Sequence, residues 1–455
     1  KTVMITIPSA PLSLGFLRTN FLEHLQAGGD VRVILIVPPF KEEYYKKELE
    51  GRTNIVIESA PIHRYKHFET LAQRILRQSI PSVTIRNRQM HALYGPKPFL
   101  RKVFIFMGTR TLWLFGHVRV WREFLRFLYS FSPHAAYIPI IDRYKPDLVF
   151  ATTLFDRMDL GLMKAARKRK IPIVGMPKSW DSISSKCFTV VKPDVCLVQN
   201  PVVSKEAILY ADMPKDRIMI VGIPQFDFYF EESIIDSRDK FLTTIGVNPT
   251  HRYVLFAGGG LDLYPDECEV LMMLSNLMKR DPLYKDVHLV YRPHPNNGWC
   301  KDGAEHAENV VVASSYKKIQ DTAGGWEFES GDIKYLLNSV YHAEVVLHAM
   351  STIALEAALY DRPIIGLGLD GTSQKPFYLS VERFYHTSHY SPMVQTGGMR
   401  VSRSVDDLEQ NMRAYMNDSK LDQEGRARIV QEEVYYADGD TAKRIASILL
   451  KRLTT

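Results

Sequence analysis

Short apolar runs recur along this chain, each separated from the next by a helix-length segment. Val31–Val37 reads VRVILIV, Asp147–Thr152 DLVFAT, Asp194–Gln199 DVCLVQ, Tyr253–Ala257 YVLFA and Ile364–Leu367 IIGL. A strand that is apolar at consecutive positions needs cover on both faces. A parallel sheet with helices packed on either side provides that cover. The pattern therefore predicts an α/β fold. Further strands are expected at Thr2–Ile7, Asn54–Glu58, Pro172–Met176 and Arg217–Gly222 in the first half. In the second half they are expected at His288–Tyr291, Val310–Ala313 and Val345–Leu347. The rhythm breaks near Ile223–Ser237, where Pro224, several aromatics and a charge cluster intervene, and then restarts. A chain of 455 residues is too long for one core of ordinary size. The expectation is two Rossmann-like doubly wound domains facing a cleft, residues 1–230 and 231–430. A C-terminal helix, residues 431–455, crosses back to the first domain.

In open α/β sheets ligands sit at the carboxyl ends of the strands. Three such ends in the second domain carry groups suited to a phosphate. Gly258-Gly259-Gly260 allows close approach of backbone N–H groups. Arg292-Pro293-His294-Pro295 offers a guanidinium fork and an imidazole on a proline-restricted backbone. The third is His348 with Ser351 and Thr352, natural N-cap residues before a helix whose amides would face a phosphate, with Glu356 one turn on for a ribose hydroxyl. Each also has a structural reading as a tight turn, an Arg–carboxylate pair or an ordinary capped helix. In the first domain, Lys178-Ser179-Trp180-Asp181 follows an apolar strand. Asp181 there is either a general base toward an attacking hydroxyl or a turn-capping residue. Asp156, with Arg157, is a second candidate.

Between Leu71 and Ile141 stand eleven Lys or Arg and one acidic residue, Glu123. From Arg119 the spacing is helical. Val120, Phe124 and Phe127 lie on one face, and Arg119, Arg122 and Arg126 on the other. Either this is a core helix whose arginines are solvated or bind an acidic acceptor, or the helix lies in a membrane interface and meets anionic lipid. In Phe99–Phe115, which includes Trp113, the apolar residues are not confined to one stripe, as expected for membrane contact. The net charge of +7 also suits anionic partners. No zinc-finger or RNA-binding signature is present, so nucleic acid is not an expected partner. Cys187, Cys196, Cys268 and Cys300 fit no metal or redox spacing. Their scatter, with no leader-like segment at Lys1, suggests a reducing, cytoplasmic setting, peripheral on the inner face of the membrane.

The RPHP at Arg292–Pro295, the ST-x-x-x-E-A of Ser351–Ala357 and the SWDSISSK of Ser179–Lys186 resemble the GT-B superfamily of nucleotide-sugar transferases. The resemblance runs over roughly Asp147–Arg444. It is nearest to the bacterial cell-surface polysaccharide group that includes CDP-glycerol glycerophosphotransferase-like proteins. It implies a nucleotide-diphosphate sugar as donor substrate, no cofactor and no metal, and a glycan or lipid-linked acceptor. Arg292, His294, Ser351 and Thr352 would hold the diphosphate, Glu356 the ribose, and Asp181 would be the acceptor base of an inverting transfer. Lys178, Ser179, Trp180, Trp113, Arg119 and Arg122 fall on the acceptor or membrane side. The polyol-phosphate transferases carry an HGT-type histidine where this chain has Ser179-Trp180-Asp181, a departure that favours sugar transfer. The alternatives are a CDP-polyol phosphotransferase, a non-hydrolysing nucleotide-sugar 2-epimerase and a non-enzymatic membrane scaffold.

Overall fold

The computed structural model describes residues 1–60, 67–131, 135–294, 300, 307–313, 317–318, 326–328 and 330–454. It divides into two compact units, Lys1–Asp227 with the segment from Asp438 onward, and Phe228–Ala437.

The first unit is built on a seven-stranded parallel sheet of order β3-β2-β1-β4-β5-β6-β7. The strands are β1 (Thr2–Thr6), β2 (Arg32–Val37), β3 (Ile55–Ser59), β4 (Leu148–Ala151), β5 (Ile173–Gly175), β6 (Val195–Val198) and β7 (Ile218–Ile220). β1 pairs with β2 on one side and β4 on the other, so the strand order reverses there. Val3, Ile5, Val33, Leu35 and Phe150 are fully buried, and Phe16 meets Phe150 edge to face at 5.4 Å. The helix Thr441–Thr454 adds Ile445, Leu449 and Leu453 to this same core. Asp227 starts that helix, its carboxylate accepting from the Thr441 and Ala442 amides at 3.0 and 2.7 Å.

The segment Pro8–Gly15, rich in small residues and proline, is mostly helix. Ala10–Leu17 is helical, with Pro11 in the first turn where its missing N–H costs nothing, and Phe21–Ala27 is a separate helix.

The basic segment enters between β3 and β4 as helices His67–Gln78, Val83–His91, Phe99–Gly116, Arg119–Ser130 and Ile138–Tyr144. Their small core contains Leu76, Ile80, Ile85, Leu125 and Tyr129. Gly116 lets its helix end abut the Ser79 carbonyl, which any Cβ there would strike.

The Arg119–Ser130 helix is turned the opposite way to the solvated-arginine reading. Arg122 and Arg126 are buried on Asp212. Arg122 donates to it at 2.8 and 2.5 Å and Arg126 at 2.7 Å. Arg126 also donates to the Thr189 and Ala211 carbonyls. With the guanidinium groups satisfied inside, Val120, Phe124, Phe127 and Phe131 face solvent.

The second unit carries a six-stranded parallel sheet of order β10-β9-β8-β13-β14-β15 and a separate antiparallel pair, β11 with β12. The strands are β8 (Arg252–Ala257), β9 (Val287–Arg292), β10 (Val310–Val312), β11 (Lys317–Lys318), β12 (Trp326–Glu327), β13 (Val345–His348), β14 (Ile364–Leu367) and β15 (Arg400–Ser402). Val254, Phe256, Leu289, Leu347 and Ile365 form the core with Val270, Leu271 and Leu274 of the Glu267–Arg280 helix. The stretch Val405–Leu453 is mostly helical, interrupted after Asn417 and again at Tyr435, where φ is +69°.

Cys268 and Cys300 form a disulfide, Cα atoms 5.1 Å apart, against the reducing setting expected from the scatter of the cysteines. They lie 32 residues apart in sequence, yet Cys300 returns to the helix that carries Cys268. Cys187 and Cys196 are free and buried. Among the described residues no helix is long and apolar enough to cross a membrane.

Candidate functional site

In the second unit β9 ends at Arg292, and Glu356 lies in the first turn of the helix Ile353–Leu359 that follows β13. Glu356 is buried beside the Tyr229 hydroxyl. Burial raises its pKa, while Tyr229 and Arg292 pull it back only in part. Its Oε2 has no hydrogen-bond partner, and neither does Nε of Arg292. Arg292 is half-buried, and burial lowers its pKa against the attraction of Glu356. A buried, unanswered donor and a buried, unanswered acceptor coupled in one region are costly unless a ligand answers both. His294, two residues past the strand, is half-buried. Burial and then Arg292 lower its pKa, so at neutral pH it offers a neutral imidazole and not a charge. Pro295 lies outside the described residues.

His348 does not face a ligand, which corrects its assignment to the phosphate. It is fully buried, its Nδ1 accepts the Ser351 amide at 3.2 Å, and its Nε2 contacts Met399 Sδ at 3.2 Å. Burial pushes its pKa down to about 3. Its role is to shape the turn, in which Met350 holds a left-handed φ of +48°. Ser351 Oγ accepts the Ile353 amide at 3.4 Å, a weak cap, whereas Thr352 has the cap position without a side-chain capping bond. The helix is seven residues long, so its dipole is a minor contribution.

The glycine loop is also corrected. Gly258, Gly259 and Gly260 follow β8, but an internal carboxylate already occupies their cradle. Glu267, fully buried, accepts the Gly260 amide at 2.8 Å and the Gly259 amide, together with the Tyr291 hydroxyl. A Cβ on Gly258 would lie 2.5 Å from Glu267 Oε1. The glycines are needed, but for this acid.

In the first unit a small hollow opens at the carboxyl ends of the strands. Lys178, Ser179 and Trp180 after β5 line it, with Thr152, Gln199 and Gln225. Burial, and then Lys186, lower the pKa of Lys178. Asp181 is not on the wall. Its carboxylate pairs with Lys186 at 2.9 Å, and it makes no side-chain capping bond to the Ser182–Ser185 helix that it precedes. Asp156 caps the Arg157–Lys168 helix through the Met158 amide at 2.9 Å, and burial raises its pKa against that bond. The sequence reading missed Asp159. It is fully buried where β1 and β4 diverge, accepting from Thr153 at 2.7 Å and from Thr6. Burial, and then Asp156, push its pKa up to about 7. Among the described residues no three or more His, Cys, Asp or Glu gather as metal ligands.

Of the residues assigned to the membrane side, Arg122 is internal, as above. Trp113 is half-buried, its indole donating to the Ser82 carbonyl at 2.9 Å with Arg110 over its ring. Arg119 is exposed, 4.0 Å from Glu123.

No family model and no curated protein matches the sequence. Solved structures do match. The S. aureus MnaA–UDP co-structure aligns at TM-score 0.58 and 12% identity, covering 100% of this chain and 97% of that one. The UDP-GlcNAc 2-epimerase of Neisseria meningitidis bound to UDP-GlcNAc aligns at TM-score 0.58 and 13% identity over 99% and 100%. A glycosyltransferase of Rickettsia africae ESF-5 aligns at TM-score 0.53 and 10% identity over 100% and 98%. At these identities the likeness bears on architecture alone, and the architecture is the two-domain, Rossmann-like GT-B fold.

Proposed function

We propose that this protein is a nucleotide-sugar-dependent glycosyltransferase of bacterial cell-surface polysaccharide or glycolipid synthesis, with the donor nucleotide held in the second unit. The observation that carries the reading is the pair of unanswered buried atoms, Arg292 Nε and Glu356 Oε2. A nucleoside diphosphate answers both: its phosphate oxygens accept from Arg292 and a ribose hydroxyl donates to Glu356. In the transfer the acceptor oxygen bonds to the anomeric carbon and its proton passes to a general base, a role open to Asp181 once its pairing with Lys186 is released. The carbon–oxygen bond to the nucleotide breaks, and the diphosphate leaves with Arg292 balancing its charge. His294 contributes a neutral hydrogen bond.

Calorimetry tests the donor assignment. Among UDP, CDP, GDP and ADP, the tightest binder is compared with its 2′,3′-dideoxy analogue. A hydrogen bond to a charged group contributes about 1.5–3 kcal/mol, so losing the hydroxyls costs the natural protein about 10- to 150-fold in Kd. Glu356→Ala should bind the two nucleotides equally. Equal binding of both by the natural protein refutes the assignment. Product analysis then separates chemistries: a glycoside supports transfer, a phosphodiester supports the polyol-phosphate reaction. Proton exchange at the donor C2 without acceptor supports epimerisation, the activity named for several of the aligned structures.

A further inference from the structure

The helices Phe99–Gly116 and Arg119–Ser130 turn their apolar sides outward. On the first, Phe99, Leu100, Phe104, Met107, Leu114 and Phe115 are exposed and cover about half the circumference, while Ile105 and Trp113 point the other way. On the second, Phe124 and Phe127 are exposed, and Phe131 just beyond it. Phe104 is 76% exposed, Phe127 61% and Phe131 73%. Isolated exposed aromatics are ordinary, but so many on consecutive helices mark a contact surface.

The charge around this surface identifies its partner. Arg101 and Arg119 are exposed beside it, and Arg74, Arg77 and Arg86 on the neighbouring helices. Glu123 on this face is paired with Lys192 and Arg126, and Glu69 of the His67–Gln78 helix is buried. An outward face both apolar and cationic fits the boundary between anionic headgroups and acyl chains, where arginines reach outward to phosphate.

The surface continues into a groove between the His67–Gln78 and Arg119–Ser130 helices, about 590 Å³ in open volume. Leu71, Ala72, Ile75, Leu76, Leu125 and Leu128 line it, with Glu69 and Tyr129. Leu71 and Leu128 at its rim are exposed. The lining is almost wholly apolar, which suits a hydrocarbon chain and excludes a sugar or a peptide backbone.

We propose that this face docks on an anionic lipid bilayer, the two helices lying in its interface and the groove taking one lipid chain. The surface belongs to the first unit and the donor site to the second, so nucleotide binding can fail while membrane docking holds, and the reverse.

The test uses the full chain and extruded phosphatidylcholine vesicles with and without phosphatidylglycerol, read by co-sedimentation. Binding should require phosphatidylglycerol and weaken with salt. The triple variant F104N/F127N/F131N should lose on the order of 100-fold or more in partitioning, with melting temperature unchanged because all three rings are exposed. Brominated-chain phosphatidylglycerol should quench Trp121, which packs against Phe115 and Phe124, in the natural protein but not in the variant. Ala72→Phe, which fills the groove, and Leu128→Gln at its rim should each weaken binding of monomeric lysophosphatidylglycerol several-fold. A folded chain that ignores anionic vesicles overturns the proposal. So does a triple variant that binds them as well as the natural protein, or one whose only change is dissociation of a dimer. Unaltered lysolipid binding in both groove variants overturns the chain-binding half.

Discussion

The outward aromatic face exists because Asp212 holds two arginines inward, and Asp212→Asn tests that dependence. The residue ends the Pro201–Ala211 helix in a left-handed conformation, φ +54°, which asparagine tolerates. The substitution therefore removes the charge without straining the backbone. Three charge-assisted bonds at 2.5–2.8 Å converge on this carboxylate, and the side chains of all three residues are 7% exposed or less. Asparagine can accept with one oxygen only and turns an amide toward a guanidinium. The two buried cations then share one weaker acceptor, with main-chain carbonyls and, for Arg126, Glu123 as their remaining partners. Breaking a buried pair in this way costs about 3–5 kcal/mol. At roughly 2–4 °C per kcal/mol for a unit of this size, the melting temperature should fall by about 6–20 °C. Calorimetry at pH 7 reads this directly.

The acid limb gives a second readout. Burial pushes the Asp212 carboxyl up, but the hydrogen bonds from Arg122 and Arg126 outweigh it, and its pKa lies below the usual value. Its stabilisation is thus present above the ordinary aspartate pKa and lost as pH falls through the depressed one, a loss the variant should lack. Replacing the trio together, R122M/R126L/D212L, should recover most of the stability, since apolar packing can substitute for a buried ion network. If Asp212→Asn melts within about 2 °C of the natural protein, the network does not hold the helix and its orientation needs another explanation.

Three further outcomes are expected. Asp159 keeps its proton up to about pH 7 when folded, while the unfolded chain releases it near 4, so this residue makes stability fall as pH rises between those values. Asp159→Asn should flatten that slope and exceed the natural protein by about 1–4 kcal/mol at pH 8 in urea titrations; parallel curves would contradict it. Glu267→Ala empties the glycine cradle and leaves the Gly259 and Gly260 amides without their acceptor. It should destabilise by about 2–4 kcal/mol, and added formate should restore part of the loss in a thermal melt; no formate effect would remove the cradle from the account. Leu449→Ala, in the C-terminal helix, should cost about 2–5 kcal/mol even though most of that core belongs to residues before 200.

The sheets were legible because runs such as VRVILIV can only be covered from both sides. The helix at Ala10–Leu17 was hidden by Pro8, Pro11 and Gly15, which read as loop although a first-turn proline is compatible with helix. The strand Arg400–Ser402 is three residues long and carries no periodic signal. Amphipathic spacing showed that Arg119–Ser130 has two different faces but not which one turns inward. That choice rests on Asp212, a partner 86 residues from Arg126 that local pattern cannot locate. For the same reason the GGG loop read as open. Its occupant, Glu267, belongs to the next helix, and an acid in a helix's first turn is ordinarily a solvated one. Arg292 and Glu356 were singled out from strand-end position alone. Their unanswered atoms, and Tyr229 between them in charge balance, emerge only from packing.

The C-terminal helix has a consequence for how the protein is made. Residues 228–437 are continuous, so that unit can complete itself as it leaves the ribosome. The N-terminal unit cannot, since Ile445, Leu449 and Leu453 belong to its core and the two amides that Asp227 caps are translated more than two hundred residues later. The half synthesised first is therefore finished last. A nascent chain should expose the β1–β2 side of its sheet to chaperones throughout the synthesis of the second unit. A stop codon shortly before Thr441 would strand the beginning of the protein, not merely trim its end.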